Sequence, residues 1–349
     1  MKAAFLKSSR TLELRDVPEP NVPDDGIVIE VKACGICGSD IRRWKEGPPP
    51  GSKGVIPGHE AAGVVIETGP GCSGFEAGDL VAIAPDIHCG ECYYCRKELY
   101  NLCDNLKFLG ITPGFPGGFA ERMALKGEIL TNGIVNKMPD GLSFEHAAVS
   151  ELCCSVLATH EKAGTSNNDT VVVIGAGPAG CLHVSVAKRR GAHVCVLEIS
   201  EARRRMVEKF GPDLVLDTSF GNIVGEIKQF TGGVGADIVL CANPAAETQR
   251  LGVEMVRKGG RVVLFGGLPK ANPMTKLDSN LIHYGEIQVV GAFSYHPRFH
   301  KLALSLLADG KLPAASLITH TFELDKINEA YDTAASGEAL KVIIKIGRQ

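Results

Sequence analysis

The sequence predicts an α/β fold in two domains: a β-rich domain, then a doubly wound parallel sheet, with the last segment returning to the first. Three observations predict it. The 349 residues exceed what a single hydrophobic core usually serves. The first third alternates apolar and polar residues between dense Gly and Pro, as half-buried antiparallel strands do. From Thr170 onwards, continuous apolar runs such as TVVVI alternate with helical stretches, the mark of a parallel sheet covered on both faces.

Composition narrows the function classes. Hydrophobic residues make up 44% of the chain and charged residues 22%, which supports sizeable cores and argues against disorder. A net charge of −3 gives no electrostatic basis for binding nucleic acid or an anionic membrane. The N-terminus MKAAFLKSSRTLELRD lacks the apolar core and cleavage site of a secretory signal. No apolar run reaches the ~18 residues that span a bilayer. The expectation is a soluble, cytoplasmic protein whose twelve cysteines are reduced, leaving burial or metal ligation as their use.

TLELRDVPEP and GIVIEVKACG open the chain with period-two runs, and AAGVVIETGPG (61–71) and GDLVAIAPD (78–86) continue them, which fits a partly open barrel. Between these runs, CGICGSDIRRWKEGPPPGSKGVIPGHE gathers Cys37, Asp40, His59 and Glu60, with GPPPG (47–51) as a stiff loop. Cys, His and Glu suit zinc, and Asp40 can orient a ligand from behind; on its own this spacing only hints at a metal.

CGECYYCRKELYNLC is a firmer signal. Cys89, Cys92, Cys95 and Cys103 form C-x2-C-x2-C-x7-C, a spacing that wraps one tetrahedral ion. Four thiolates leave no open position, so this is a structural zinc and not a catalytic one. An iron–sulfur cluster usually spaces its fourth cysteine differently, and a redox Cys pair normally lies beside a strand–helix unit. GGFAERMAL (117–125) and ILTNGIVNKMPDGLS then return to strand and turn. SFEHAAVSELCCSVLATHEKAG has helical spacing, from Ser143 as N-cap to Gly164 as stop. Glu151 within it is either an exposed helical Glu or a carboxylate that is paired, faces a cavity or binds a metal.

TVVVIGAGPAGCLHVSVAKRRGAHVCVLEISEARR (170–204) reads as strand, Gly-rich turn, helix and second strand. In GAGPAG, Gly175 permits the tight turn, Gly177 lets a pyrophosphate approach the backbone, and Gly180 lets helix and strand pack; Pro178 and Ala179 open the helix. Glu198 ends the next strand and can accept hydrogen bonds from ribose hydroxyls, while repelling a 2′-phosphate, which favours NAD. Arg203 and Arg204 leave the other cofactor open, since they lie where an arginine can either bind that phosphate or flank the adenine. GGVGADIVLCANP (232–244), GGRVVLFGGLP (259–269) and GEIQVVGAFSY (285–295) each carry a further strand, separated by helical stretches such as ETQRLGVEMVRKG. Their ends, Phe265, Gly266, Gly267, Leu268 and Phe293, Ser294, Tyr295, are expected to face the nicotinamide half of the cofactor. RFHKLALSLLADGKL, THTFEL, a short helix and ALKVIIKI close the chain, the final strand returning to the first domain.

This order of parts resembles the zinc-containing medium-chain dehydrogenase/reductase family over essentially the whole chain, and within it the polyol (sorbitol) dehydrogenase branch. The matching pieces are CGICGSD (34–40), PGHEAAGVV (57–65), the four-Cys lobe, GGFAE (117–121), SELCCSVL (150–157), GAGPAG (175–180), LFGG (264–267) and GAFSY (291–295). The resemblance implies a GroES-like catalytic domain over 1–150, an NAD-binding Rossmann domain over 151–294 and a return to the first over 295–349. It implies two zinc ions per subunit, the catalytic one held by Cys37 and His59 with Glu60 or Glu151; which carboxylate ligates at rest stays open. It further implies hydride transfer from a secondary alcohol of a polyol or sugar-derived substrate to NAD+, in a homodimer or homotetramer, with Tyr295 beside the substrate.

Three positions depart from the family pattern. Related enzymes often place a relay histidine where Arg42 stands, and arginine cannot serve as that base. Arg43 replaces a common aromatic, and galactitol-phosphate dehydrogenase-like members carry an arginine there. Ser294 stands where sorbitol dehydrogenases have an arginine. A phosphorylated or acidic polyol is therefore one expectation, since arginine grips such groups bidentately; a solvated loop, or arginines touching the cofactor pyrophosphate, is the other. The competing functions are a threonine 3-dehydrogenase or simple alcohol dehydrogenase, a zinc-free reductase of double bonds, and a non-catalytic nucleotide-binding protein.

Overall fold

The computed structural model describes residues 1–48, 54–219 and 221–347; positions 49–51 of the GPPPG stretch lie outside the described residues. The chain divides into two units, Met1–Cys154 with Tyr295–Gln349, and Ser155–Ser294.

The first unit is built on a seven-stranded mixed sheet in the order Ile318–Glu323, Lys341–Lys345, Ile27–Gly35, Glu60–Thr68, Leu80–Ala84, Ile134–Lys137, with Arg122–Leu125 also pairing to Ile27–Gly35. The closing strand Lys341–Lys345 runs antiparallel to Ile27–Gly35 and parallel to Ile318–Glu323, so the last segment completes the first sheet. Strands Lys2–Ser8 and Thr11–Asp16 form a separate hairpin. The core of this unit includes Ile27, Ile29, Val31, Trp44, Phe119 and Tyr331.

The second unit is a six-stranded parallel sheet in the order Leu214–Asp217, His193–Glu198, Thr170–Ile174, Ala236–Cys241, Val256–Leu264, Gln288–Gly291. Chain order reverses between Thr170–Ile174 and Ala236–Cys241, and the crevice at such a reversal is where doubly wound sheets bind ligands. Val171, Val172 and Val173 are fully buried, which explains the unbroken apolar run: helices cover both faces. Each buried Val adds roughly 1.5–3 kcal/mol relative to exposure. The strand Leu214–Asp217 carries only LVLD and escaped sequence recognition.

One helix expected over 143–164 is two. Ser143 caps Phe144–Ala148 through His146 N–H at 3.2 Å, the chain breaks at Val149, and a new helix runs Ser150–Ala163. Ser150 Oγ donates to the Ala147 carbonyl at 2.6 Å, taking an acceptor from the ladder, as hydroxyls near helix ends do. Gly164, at φ +65°, ends the second helix as expected.

Candidate functional site

Cys37 is the N-cap of the helix Gly38–Glu46, so its thiol stands at the mouth of that helix. Asp40, three residues on, turns back: its Oδ2 accepts the Cys37 N–H at 3.0 Å. Its Oδ1 lies 3.3 Å from His59 Nδ1, close enough to attract it but off the line of a hydrogen bond. This leaves Nε2 as the His59 atom aimed at a ligand, with Ser39 Oγ 3.4 Å from it. Glu60 begins the strand Glu60–Thr68, and Glu151 is the second residue of the Ser150–Ala163 helix. Cys37, His59, Glu60 and Glu151 bring one donor atom each to within 4.8 Å of one another, from three separate stretches of chain.

Each donor is braced. Glu60, fully buried, accepts from Lys341 Nζ at both oxygens, 2.7 and 2.8 Å. Lys341, 2% exposed, also donates to the Ile36 carbonyl at 3.3 Å. The register explains the reach: Glu60 lies opposite Gly35, which in turn lies opposite Ile343, so the carboxylate crosses the intervening strand at Gly35. A Cβ at Gly35 would stand 2.1 Å from Glu60 Oε2, so only glycine leaves the path open. Glu151 Oε1 accepts from the Tyr295 hydroxyl at 3.0 Å. The start of its helix is pinned by His300. Because Ser150 spends its proton on Ala147, His300 Nε2 donates to Ser150 at 3.0 Å and Nδ1 accepts from Asn136 at 2.8 Å. Burial pushes His300 down to about 3, which keeps it the neutral ring this tautomer needs.

The centre is rich in negative charge. Burial pushes Glu151 up to about 7, with the Glu60 carboxylate adding to the rise. For His59 burial acts downward, yet Asp40 and Cys37 outweigh it and the imidazole is held well above its ordinary value. A site that gathers carboxylates and a thiol, and protonates its histidine for want of positive charge, has the electrostatics of a cation site. Thiol, imidazole and carboxylate are the donor types zinc takes, and two carboxylates leave one free to stand off while a water or substrate oxygen takes the fourth position. The set fits zinc.

The four cysteines of the lobe gather in the same way, with Cys95 opening one short 3-10 turn, Cys95–Lys97, and Cys103 closing another, Tyr100–Leu102. Cys92 and Cys95 sulfurs are 3.5 Å apart and Cys89 and Cys95 3.9 Å, with no disulfide. Zinc–sulfur bonds of ~2.3 Å set tetrahedral thiolates ~3.8 Å apart, so these spacings fit the ion. Backbone N–H groups of Cys89 and Asn105 point at Cys103 Sγ, at 3.2 and 3.3 Å. Hydrogen bonds from the Cys95 and Asp104 backbone pull the Cys92 thiol down to about 6, toward the ligating thiolate.

In the second unit, Gly177 caps the helix Pro178–Arg189, which holds Ala179 and Gly180 in its first turn. A Cβ on Gly180 would lie 1.9 Å from the Gly175 carbonyl oxygen, and space around Gly177 is open for a phosphate. Glu198 braces the turn: Oε2 accepts Ala176 N–H at 2.7 Å and Oε1 accepts Ser200 N–H at 2.9 Å. Gly175, Gly177, Glu198, Arg203 and Asn243 line a cavity of about 490 Å³, large enough for an adenosine. Arg204 turns away from it, to Asp217 at 2.8 Å and the Ile199 carbonyl at 2.7 Å. Gly266, Gly267 and Leu268 follow the strand Val256–Leu264, where Gly266 N–H bonds the Cys241 carbonyl at 2.8 Å. Phe293 is 58% exposed, and Ser294 has φ +49°. Tyr295 belongs to the first unit, where its hydroxyl is given to Glu151.

A ligand set suited to zinc in one unit and a dinucleotide turn in the other define a zinc-binding dehydrogenase. Residues 23–140 match the alcohol dehydrogenase GroES-like domain and residues 178–309 the zinc-binding dehydrogenase domain. The chain belongs to the zinc-containing medium-chain dehydrogenase/reductase family, and with it is an alcohol dehydrogenase of the zinc-dependent kind. It is 33% identical to D-arabitol-phosphate dehydrogenase of Enterococcus avium over 95% of this chain and 92% of that one. It is 35% identical to sorbitol dehydrogenase of Halalkalibacterium halodurans over 95% and 94%. The crystal structure of 2R,3R-butanediol dehydrogenase from Bacillus subtilis superposes with a TM-score of 0.89, at 27% identity, covering 99% of both chains.

Lys341, Tyr295 as a brace for Glu151, and the His300–Ser150 bond were not foreseen as parts of the site. The one available signal was a lysine set among the apolar residues of ALKVIIKI, where a charge needs a buried partner.

Proposed function

We propose that the chain oxidises a secondary alcohol of a polyol or sugar-derived substrate with NAD+, using Cys37, His59 and one of Glu60 and Glu151 to hold the catalytic zinc and the four cysteines to hold a structural one. The observation that carries this is the convergence of Cys37, His59, Glu60 and Glu151 within 4.8 Å. When bound, zinc supplies Lewis acidity to the substrate hydroxyl and the nicotinamide accepts hydride. The chain supplies the rest. Asp40 holds Cys37 and His59 in place, Lys341 grips both oxygens of Glu60, and Tyr295 orients Glu151. Glu198 presents a carboxylate that favours ribose hydroxyls over a 2′-phosphate, which supports NAD over NADP.

Arg42 is exposed and Arg43 half-buried on the Gly38–Glu46 helix, and neither has an ion-pair partner among the described residues. Arg43 lies one turn beyond Ser39, which neighbours His59 Nε2, so the two residues share one face of the helix. With the arabitol-phosphate dehydrogenase relative, this supports an anionic polyol as substrate. A panel of polyols, each with and without phosphate, assayed with NAD+ and NADP+ beside a zinc determination, tests the whole reading. Two zinc ions per chain and NAD+ reduction by polyols are expected; no zinc and no turnover on any alcohol would sink it. If Arg43→Ala leaves kcat/KM unchanged for phosphorylated and neutral polyols alike, the anionic substrate is wrong.

A cytoplasmic homo-oligomer completes the reading. Gln288–Gly291 is the edge strand of its sheet, with Val289 exposed, and an edge of this kind suits pairing with a second copy. No helix among the described residues is long and apolar enough to cross a membrane.

A further inference from the structure

Behind the catalytic donors, three buried polar atoms have no hydrogen-bond partner among the described residues: Trp44 Nε1, Tyr331 Oη and His59 Nδ1. They do not lie apart. Trp44 is on the same helix as Asp40, one turn on, and is 3% exposed. Tyr331, 1% exposed on the helix Ile327–Ser336, packs against the Trp44 ring at 5.7 Å and meets Phe119 edge-on at 5.9 Å. Asp40 is 3% exposed. Burial first, and then the Asp40 carboxylate, hold the Tyr331 phenol well above its ordinary value, so it is an O–H donor beside that anion.

The donor count then decides what can sit there. Indole N–H can only donate. The phenol O–H needs an acceptor, and leaving either unpaired in a buried site costs about 1–3 kcal/mol. Asp40 has lone pairs to spare, because Oδ2 takes only the Cys37 N–H and Oδ1 stands off-line from His59. One water balances the two aromatic donors: it accepts from Trp44 and Tyr331 and donates to Asp40, about the three bonds an internal water usually makes, and leaves His59 Nδ1 facing Asp40 Oδ1 at 3.3 Å.

We propose that Tyr331 Oη and Trp44 Nε1 donate to one internal water that donates to Asp40, making Tyr331 and Trp44 positioning residues for the His59 imidazole. This rests on reading His59 as a metal ligand. Through Asp40 the network fixes the ring so that Nε2 faces the ion, and partners of this kind set how firmly a metal is held.

The test follows zinc release from the loaded full-length enzyme into a chromogenic chelator, for wild type, Tyr331→Phe and Trp44→Phe. Wild type should release two equivalents. In each variant one equivalent should leave about 10–100-fold faster, the usual effect of losing such a partner, and the other, from the four-Cys lobe, at the wild-type rate. Release at wild-type rates in both variants overturns the inference, and so does equal acceleration at both sites, which marks general loosening. A wild type holding only the four-Cys zinc overturns the catalytic-centre reading and this inference with it. Tyr331→Phe melting higher than wild type would also overturn it, since that is the mark of a phenol with no partner. Should a variant fail to fold, a wild-type crystal structure decides. A water within hydrogen-bond reach of Tyr331 Oη, Trp44 Nε1 and Asp40 supports the network, and its absence overturns it.

Discussion

Replacing Lys341 by Met should unmake the first unit more than any surface charge change could. Lys341 and Glu60 are 2.7 and 2.8 Å apart with side-chain exposures of 2% and 0%. At an effective dielectric near 20, their attraction is about 6 kcal/mol. Most of that offsets the cost of taking two ions out of water, so the intact pair adds little net stability. Removing one partner is different, because the other is left buried and uncompensated, at about 3–5 kcal/mol. Methionine keeps most of the volume, so the loss is electrostatic and not a cavity. For a unit of about 200 residues, this corresponds to a fall in Tm on the order of 10 °C. The single tryptophan of the chain, Trp44, lies in the core of this unit and reports its unfolding separately from the nucleotide-binding unit. Urea unfolding followed by Trp44 fluorescence, with zinc saturating throughout, should show the loss in Lys341→Met and recovery of most of it in Lys341→Met/Glu60→Gln. A single variant within 1 kcal/mol of wild type, or a double variant no better than the single, would refute the reasoning.

Two further outcomes follow from the same geometry. Gly35→Ala should displace the Glu60 carboxylate, whose Oε2 would be 2.1 Å from the new methyl, and weaken both stability and zinc retention at the catalytic centre; chelator resistance equal to wild type would show that the carboxylate has another path. In the second unit, burial pushes His183 down to about 3, so the folded protein resists a proton that the unfolded chain accepts below its ordinary pKa of about 6.5. The stability this group contributes is complete above about pH 6.5 and is lost as the pH falls toward 3, at roughly 1 kcal/mol per pH unit. Denaturant midpoints of wild type and His183→Gln measured between pH 7 and 5 should diverge in slope by that amount, and parallel slopes would count against it.

The parts of the site that were legible are local in the chain. Cys89, Cys92, Cys95 and Cys103 span fifteen positions, and the turn Gly175–Gly180 sits between a strand and a helix that announce themselves. The central strands of the second unit were readable because both faces of the sheet are covered there, which makes runs such as TVVVI solidly apolar; LVLD, at the sheet edge, lacks that signal. What escaped depends on distance along the chain. Lys341 is 281 residues from Glu60, and His300 is 150 from Ser150. No periodicity encodes such a meeting. Tyr331 lies in the short closing helix, where nothing in the sequence separates it from a core aromatic; its ring is core, and only its hydroxyl sets it apart. The break at Val149 was hidden because helical spacing continues through it, and the hydrogen bond that splits the helix belongs to a side chain.

The strand Lys341–Lys345 gives the protein an order of assembly. Cys37, His59 and Glu60 leave the ribosome long before Tyr295 and Lys341, so the catalytic centre cannot be completed until Lys341 has been made. The intervening residues 155–294 form a contiguous unit that can fold in the meantime. Until Lys341–Lys345 pairs with Ile27–Gly35, the Glu60 carboxylate lacks its ammonium partner, in a sheet still open along one edge. Loss of the strand Lys341–Lys345 would therefore strike the metal centre before it touched the dinucleotide turn.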